Sequence, residues 1–295
     1  MSETAYMTHN DQLYRYLFDH YQVRGELVRL SDSYRQILSS QDYPAPVQRL
    51  LGELLVATSL LTATLKFEGH ITVQLQGDGP VKLAVINGDH RQQLRGVARW
   101  EGQVPNSDKL AELVGKGYLA ITITPDEGER YQGIIELDAD SLAASLENYF
   151  AQSEQLNTRI WLFTELTAAQ PTAAGMLLQA LPNGDTDENQ DFEHLQALTQ
   201  TIKAEELLRL DAQDVLYRLY NQETVRVFEP QPVSFKCTCS REKSENALLQ
   251  LGHAEALELL REQGQIKMHC DYCGNSYRFD NTDLQQIFND STTLH

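Results

Sequence analysis

Residues 44–67 read PAPVQRLLGELLVATSLLTATLKF, an apolar run in which Pro46 suits the first turn of a helix. Apolar side chains cover much of the circumference of that helix: Val47, Leu50, Leu51, Leu54, Leu55, Leu61 and Leu65. A helix that is apolar on most sides is stable only when other elements surround it. The run therefore predicts a deeply buried helix near the centre of the fold.

Strand patterns lie on both sides of this helix. Residues 1–30 mix aromatic and apolar positions, and we expect strands around a turn at Gly25. Residues 71–85 alternate between apolar and polar on either side of GDGP, and residues 117–137 do so on either side of DEGE. Each pattern predicts a hairpin. A helix opened by Ser141 and a strand at residues 158–163 follow.

These elements predict an α+β fold class, with a mainly antiparallel sheet and a buried helix in an N-terminal domain of residues 1–182. The segment PNGDTDENQD, residues 182–191, is polar and acidic and indicates a domain boundary. Helical spacing then returns around residues 192–202 and, after a cap at Asp211, around residues 215–219. Helices this short are marginal alone. We expect residues 183–232 to form a metastable helical linker, and residues 233–295 a small C-terminal module.

The composition of the chain restricts its partners and its location. Apolar residues make up 41%, and no apolar run reaches the length of a membrane span. The N-terminus lacks the basic and apolar regions of a signal peptide, so we expect a cytoplasmic protein. A formal net charge of −18 disfavours nucleic acid and anionic membranes as partners.

Cysteine occurs four times, as Cys237, Cys239, Cys270 and Cys273. The first two form CxC and, after 30 residues, the last two form CxxC; two such pairs, brought together by the helical segment between them, can place four sulfurs around one ion. Zinc accepts four thiolates in this way. The sequence therefore predicts one structural Zn²⁺ per chain, with Gly274 supplying the positive φ that closes the CxxC turn. His253 and His269 are expected to be surface residues.

The C-terminal module is expected to depend on this metal. Its sequence predicts a helix capped by Ser244 and ending at Gly252, followed by a second helix ending near Gly264. The CxxC hairpin comes next, and Thr282 with Gln285 forms a capping box. A module of about 60 residues buries little apolar surface and is marginal by itself. Binding of a structural zinc contributes roughly 10–16 kcal/mol in small zinc peptides. Thiolates are also the species that oxidants attack.

The chain resembles the redox-regulated 33-kDa heat-shock chaperone family (heat shock protein 33) over essentially its whole length. The segments that carry the resemblance are VRGELVRL, LLVATSLLTATLKFEG, ITVQLQGDGPVKLAVI, ITITPDEGERYQG, SEQLNTRIWL, GMLLQALP and FKCTCSRE with MHCDYCGN. The resemblance implies that the four cysteines are the zinc ligands. It also implies that oxidation pairs Cys237 with Cys239 and Cys270 with Cys273.

Membership in that family would make the protein a chaperone and not an enzyme, with no catalytic residues. It implies an ATP-independent holdase that is inactive when reduced and zinc-bound. Oxidant and unfolding stress then release zinc and activate it, often as a homodimer that binds unfolding client proteins. Residues 1–182 would bind clients and residues 233–295 would be the redox switch. The client-binding residues are not identified by the sequence.

Two other functions fit parts of the pattern. A thiol-disulfide oxidoreductase could use CDYC, but such enzymes place the first cysteine at a helix N-terminus, and here a strand-like SYRF follows. A zinc-ribbon nucleic-acid binder could use the basic residues around the cysteines, against the acidic charge of the chain. Those basic residues are Lys236, Arg241, Lys243, Lys267 and Arg278.

Overall fold

The computed structural model describes residues 11–65, 68–167, 170–181 and 188–292. The strands are β1 (Gln12–Phe18), β2 (Val23–Leu30), β3 (Gly69–Gly77), β4 (Val81–Asp89), β5 (Gln93–Trp100), β6 (Gly117–Pro125), β7 (Tyr131–Glu136), β8 (Thr158–Glu165), β9 (Thr172–Ala180), β10 (Val225–Val227), β11 (Gln231–Pro232), β12 (Ser234–Phe235), β13 (Ile266–His269) and β14 (Ser276–Phe279). The helices are α1 (Asp32–Leu38), α2 (Ala45–Thr64), α3 (Leu110–Val114), α4 (Leu142–Tyr149), a π-helical turn (Phe150–Glu154), α5 (Glu188–Thr199), α6 (Ala204–Arg209), α7 (Ala212–Tyr220), α8 (Arg241–Leu251), α9 (His253–Gln263) and α10 (Asn281–Thr292).

The described strands form two six-stranded sheets and one small hairpin. The first sheet has the order β10-β1-β2-β9-β8, with β11 also paired to β1, and all its pairs are antiparallel. The second has the order β12-β5-β4-β3-β6-β7 and is antiparallel except for the parallel pair of β12 with β5. The predicted hairpins of residues 71–85 and 117–137 are confirmed as β3–β4 and β6–β7. The α+β class with mainly antiparallel sheets is also confirmed.

Helix α2 contacts strands of both sheets, which explains why it is apolar on most sides. Most of its residues are buried, and Pro46 lies in its first turn as predicted. The core around it includes Leu51 and Leu54 from the helix, Val28 from the first sheet, and Val73 and Ile86 from the second. A helix enclosed in this way takes most of its stability from the apolar surface it buries.

The other face of the first sheet is covered by α5, α6 and α7. Strand residues Tyr16, Leu27 and Met176 form an apolar cluster there with Leu195 and Leu216 from the helices. Alternation along β2 produces both faces, since Val28 points into the core around α2 and Leu27 points toward the covering helices. These three helices therefore hide a large apolar sheet face.

The expected turn at Gly25 is wrong. Gly25 lies inside β2, opposite Tyr16 of β1, and the reversal falls between the two strands. A Cβ atom at Gly25 would lie 2.0 Å from the Tyr16 ring, so the missing side chain makes room for an aromatic ring on the neighbouring strand. Sequence alone does not distinguish this role of glycine from its role in turns.

The C-terminal helices and hairpin form a small core of their own. Its buried residues are Leu248, Ala256, Leu260, Ile266, Phe279 and Leu284. The second helix ends at Gly264 as predicted, but two caps differ from expectation. Ser240, not Ser244, caps α8 by accepting a hydrogen bond from the Lys243 backbone N–H at 3.1 Å.

The start of α10 is two residues earlier than the predicted capping box of Thr282 and Gln285. Asp280 and Asp283 form the reciprocal pair instead, because each carboxylate accepts a backbone N–H of the other residue at 3.0 Å. Both corrected caps use a residue that precedes the apolar pattern by several positions, so the apolar pattern alone placed the caps too late.

The chain divides into two compact units. The first extends to Leu38 and resumes with Asp42–Lys236; the second consists of Ser39–Gln41 with residues from Cys237 onward. Helices α5–α7 belong to the first unit. The division at residues 182 and 232, with a metastable segment between, stays a prediction. Within the described residues, no helix has the length and apolar character that a membrane crossing needs.

Candidate metal centre

The four cysteines lie on two short segments of the second unit. Cys237 and Cys239 follow β12 in extended chain, whereas Cys270 directly follows β13 and Cys273 lies in the turn before β14. The turn is closed by backbone hydrogen bonds from Gly274 N–H to the Cys270 carbonyl at 2.8 Å and from Cys270 N–H to the Asn275 carbonyl at 2.9 Å. Gly274 has φ of +72°, as predicted.

The structure brings the four sulfurs together. Cys237 Sγ lies 3.6 Å from Cys270 Sγ, and Cys239 Sγ lies 3.4 Å from Cys273 Sγ. All four Sγ atoms lie within 4.8 Å of one another, and no disulfide links them. A zinc ion bound to four thiolates at about 2.3 Å places neighbouring sulfurs about 3.8 Å apart. The spacing and the donor set therefore fit a tetrahedral thiolate site for a cation such as zinc.

The thiols have different proton affinities in the absence of a cation. Burial raises the pKa of Cys237 and of Cys273. Burial acts in the same direction on Cys239, but hydrogen bonds from the Tyr277 hydroxyl and from neighbouring thiols lower its pKa to about 7. Cys239 is thus held as a thiolate, the form that reacts with oxidants, more readily than Cys237 or Cys273.

Tyr277 of β14 donates a hydrogen bond from its hydroxyl to Cys239 Sγ at 3.2 Å. Sequence reasoning missed this residue. The only available signal was strand alternation, because Tyr277 lies opposite Met268 in the β13–β14 hairpin. Alternation gives the face of a side chain but not its distance from a cysteine on another segment. Donors of this kind orient metal ligands and tune their basicity.

Two basic residues of this unit, Arg241 and Lys243, make contacts within it. The Arg241 guanidinium donates to Asp283 Oδ1 at 2.6 Å and to the Arg278 carbonyl at 3.0 Å, and it lies 4.5 Å from the centre of the Phe279 ring. Lys243 Nζ donates to the Thr238 carbonyl at 2.7 Å, between the first two cysteines. These contacts favour a role in holding the unit together over one in contacting nucleic acid.

The histidines lie outside the sulfur cluster, as expected. His269 is exposed and its Nδ1 shares a hydrogen bond of 2.8 Å with Ser276 Oγ. His253 is exposed and its ring lies 4.8 Å from that of Phe288. The CDYC motif joins two strands and does not begin a helix. This differs from the helix N-terminus at which thiol-disulfide oxidoreductases place their reactive cysteine.

Comparison with known proteins gives a consistent result. The family model described as Hsp33 protein matches residues 11–280. A "33 kDa chaperonin" of Aeromonas salmonicida is 61% identical over 294 residues, covering 98% of this chain and 100% of that relative. A "33 kDa chaperonin" of Photobacterium profundum is 61% identical over 278 residues, covering 94% of this chain and 95% of its own length.

A solved structure has the same fold. The crystal structure of a 33 kDa chaperonin (heat shock protein 33 homolog) from Thermotoga maritima superposes with a TM-score of 0.84 at 23% sequence identity. The match covers 96% of this chain and 100% of the Thermotoga chain. Both compact units are thus included in the shared architecture.

Proposed function

The chain belongs to the Hsp33 protein family, and on that premise we propose that it is an ATP-independent holdase whose activity is controlled by the redox state of its four cysteines. The observation that carries the proposal is the cluster of four thiols in a unit with a small apolar core. The reduced, metal-bound form is inactive. The oxidised form binds unfolding proteins and prevents their aggregation.

The cation is Zn²⁺, one per chain, held by Cys237, Cys239, Cys270 and Cys273. The thiolate donor set and the sulfur spacing support this choice over harder cations, which prefer oxygen ligands. When bound, zinc keeps the four sulfurs deprotonated and adds its binding free energy to the stability of the second unit. The six buried apolar residues of that unit supply little stability without it.

Oxidation pairs Cys237 with Cys239 and Cys270 with Cys273. In each pair one thiolate attacks an oxygen of hydrogen peroxide, the O–O bond breaks, and a sulfenic acid and hydroxide form. The second thiol of the pair then displaces the sulfenic oxygen as water and forms the disulfide. Two electrons pass from each pair to one peroxide.

Loss of order in the second unit affects helices α5–α7 through the covalent connection between them. Lys236 alone separates Cys237 from β12, and β10 and β11 follow α7 and pair with β1. When β10–β12 leave the sheets, α5–α7 lose their C-terminal anchor. The apolar face around Tyr16, Leu27 and Met176 is then free to bind non-native chains.

The partners and setting of the proposed activity follow from the same features. Unfolded or partly folded proteins are the clients, and the activated form is a homodimer. The acidic chain is not expected to bind nucleic acid or membranes. The protein acts in the cytoplasm, where thiols stay reduced until an oxidant accumulates.

The test treats reduced, zinc-loaded protein with peroxide at a temperature that promotes unfolding. Zinc release, free-thiol count, disulfide mapping and suppression of client aggregation are measured on the same samples. We expect release of one zinc, loss of four thiols, two disulfides within the motifs, and a holdase activity that reduction reverses. A sample that loses zinc and forms both disulfides but leaves client aggregation unchanged would rule the proposal out. The Cys237→Ser variant is the control, because it cannot form the first disulfide.

A further inference from the structure

The first unit contains a cavity that the proposed switch does not use. It has a volume of about 560 Å³ and lies between the two sheets, beside the C-terminal turn of α2. Leu61, Ile71 and Ile121 line its floor, and each is less than 5% exposed. Most other lining residues are also apolar. Cavities of this size and composition are typical of ligand sites.

The charged side chains that line the cavity determine which ligands it favours. Arg24 is its one basic lining residue in the described chain, and its guanidinium donates to Gln179 Oε1 at 2.6 Å and lies 3.7 Å from Glu26 Oε1. Two carboxylates, Glu129 and Glu154, also line it. Arg24 donates to Gln179, but its Nε has no hydrogen-bond partner among the described residues; the two carboxylates outnumber this one cation, so the described lining carries a net negative charge.

The rim also carries hydroxyl groups in a fixed arrangement. The hydroxyls of Tyr131 and Tyr149 lie 2.7 Å from each other and 3.2 and 3.1 Å from Glu154 Oε1, so their two protons supply two of these three contacts at a time and one hydroxyl donates to Glu154 while the other donates to it or to its neighbour. Glu154 closes a π-helical turn, and Gln155 after it has φ of +55°. π-Helical turns are frequent at functional sites. The carboxylate of Glu154 is thus held at the edge of an apolar cavity.

We propose that this cavity is a second binding site, for a peptide segment in which an apolar side chain adjoins lysine or arginine. The apolar side chain occupies the cavity, and the basic group meets Glu129 and Glu154. The described lining residues all belong to the first unit and none to α5–α7, so formation of this site does not require release of those helices. That the occupant is a client segment rests on the proposed holdase function; the site itself does not.

The test uses labelled octapeptides and reduced, zinc-loaded, full-length protein, with binding measured by fluorescence anisotropy. One peptide is Gly-Ser-Lys-Leu-Phe-Lys-Ser-Gly, and its counterpart has glutamate in place of both lysines. We expect the lysine peptide to bind about fivefold to tenfold more tightly, with a preference that weakens in high salt. Equal binding of the two peptides contradicts the proposed charge selection.

One matched pair of variants and one charge reversal locate the binding. Ile123 lines the cavity from β6 and is half-buried, whereas the next residue, Thr124, is exposed on the opposite face of the strand. Ile123→Trp should abolish binding of the lysine peptide, and Thr124→Trp should leave it unchanged. Glu129→Lys, a surface change that does not threaten folding, should reverse the preference toward the glutamate peptide. Thermal melting and zinc content confirm that each variant is folded.

The outcomes separate this site from the holdase proposal. If Ile123→Trp and Glu129→Lys leave peptide binding as it was, the cavity is not the site, and the redox-controlled holdase stands. If peptide binding behaves as expected while the peroxide-treated protein fails to suppress aggregation, the cavity remains a peptide site and its occupants are not clients.

Discussion

At the residue scale, the hydrogen bond from Tyr277 to Cys239 gives the first prediction. Tyr277→Phe removes a 3.2 Å donor from a proposed metal ligand and keeps the aromatic ring. Loss of such partners commonly lowers metal affinity by about 10- to 100-fold. We expect weaker zinc binding in competition with a chromogenic chelator. Tyr217→Phe is the matched control, since Tyr217 is 73% exposed on α7.

An unchanged zinc affinity in Tyr277→Phe would show that the hydroxyl does not act on the metal site. The same variant also separates two roles of Cys239. If the donor holds this sulfur as a thiolate, its loss should slow the reaction of the demetallated, reduced protein with peroxide near neutral pH.

A second prediction concerns Glu26, which is 2% exposed in β2. Burial raises its pKa to about 7, and the positive charges of Arg24 and Arg15 oppose this only in part. Because the folded pKa exceeds the usual value near 4.5, the folded state holds the proton more tightly. The stability that this proton contributes is complete below about pH 4.5 and is lost as pH rises through 7.

Glu26→Gln mimics the protonated side chain at every pH. We expect its urea midpoint to fall less than that of the native chain between pH 5.5 and pH 8, by an amount equivalent to roughly 2 kcal/mol. The exposed Glu136→Gln should not differ from the native chain. A native-like pH dependence in Glu26→Gln would show that Glu26 is ionised in the folded protein throughout this range.

The cysteines illustrate what sequence reveals at this scale. Four thiols in CxC and CxxC motifs predicted a single cluster, since zinc chemistry limits the arrangements such motifs adopt. The structure brings the four sulfurs together. It also brings Tyr277 to Cys239 and Tyr16 over Gly25, and neither contact was predictable. Tyr16 meets Gly25 through the register of β1 with β2, and Tyr277 of β14 meets Cys239 in the segment between β12 and α8, so both contacts depend on residues that are not neighbours in the sequence.

At the element scale, the cover of α5–α7 can be loosened without oxidation. Leu216 of α7 is 4% exposed and belongs to the apolar cluster on the first sheet. Leu216→Asp places a charge there, and removal of a buried leucine side chain alone costs about 2–5 kcal/mol. We expect faster amide exchange in residues 188–220 and holdase activity in the reduced, zinc-loaded protein.

The neighbouring residue supplies the control. Tyr217→Asp introduces the same charge on the solvent side of the same helix, and it should behave like the native chain. If Leu216→Asp speeds amide exchange in α5–α7 but the variant binds no clients, the covered sheet face is not the client site.

Elements formed by local patterns were predicted well, and those formed by distant pairing were not. The two hairpins and α2 follow from alternation or helical spacing within about 20 residues. Strands β10, β11 and β12 are only two or three residues long, and they exist because β1 and β5 offer free edges. Nothing in their own sequence marks them as strands. The sequence therefore predicts β10 and β11 as part of the helical linker and β12 as part of the C-terminal module.

At the scale of the whole molecule, the metal should matter to one unit and not to the other. The second unit has a small core, whereas the first surrounds a helix of 20 residues with two sheets. Zinc removal by a chelator under reducing conditions should therefore abolish amide protection in residues 241–292. Protection in β3, β4 and β6 should persist. The measurement is hydrogen exchange resolved by peptic fragments.

The reloaded sample serves as the control and should recover its protection. A demetallated, reduced second unit that stays as protected as the zinc-loaded one would remove the physical basis of the proposed switch.

The order of strands in the first sheet bears on how this protein is made. Val28 of β2 pairs with Gly175 of β9, so an early strand can complete its pairing only after a much later strand has been synthesised. On the ribosome, β1 and β2 emerge with an apolar face and an unpaired edge long before β9 and the covering helices exist. During its own synthesis this polypeptide therefore passes through a stage in which it exposes the kind of surface that chaperones bind.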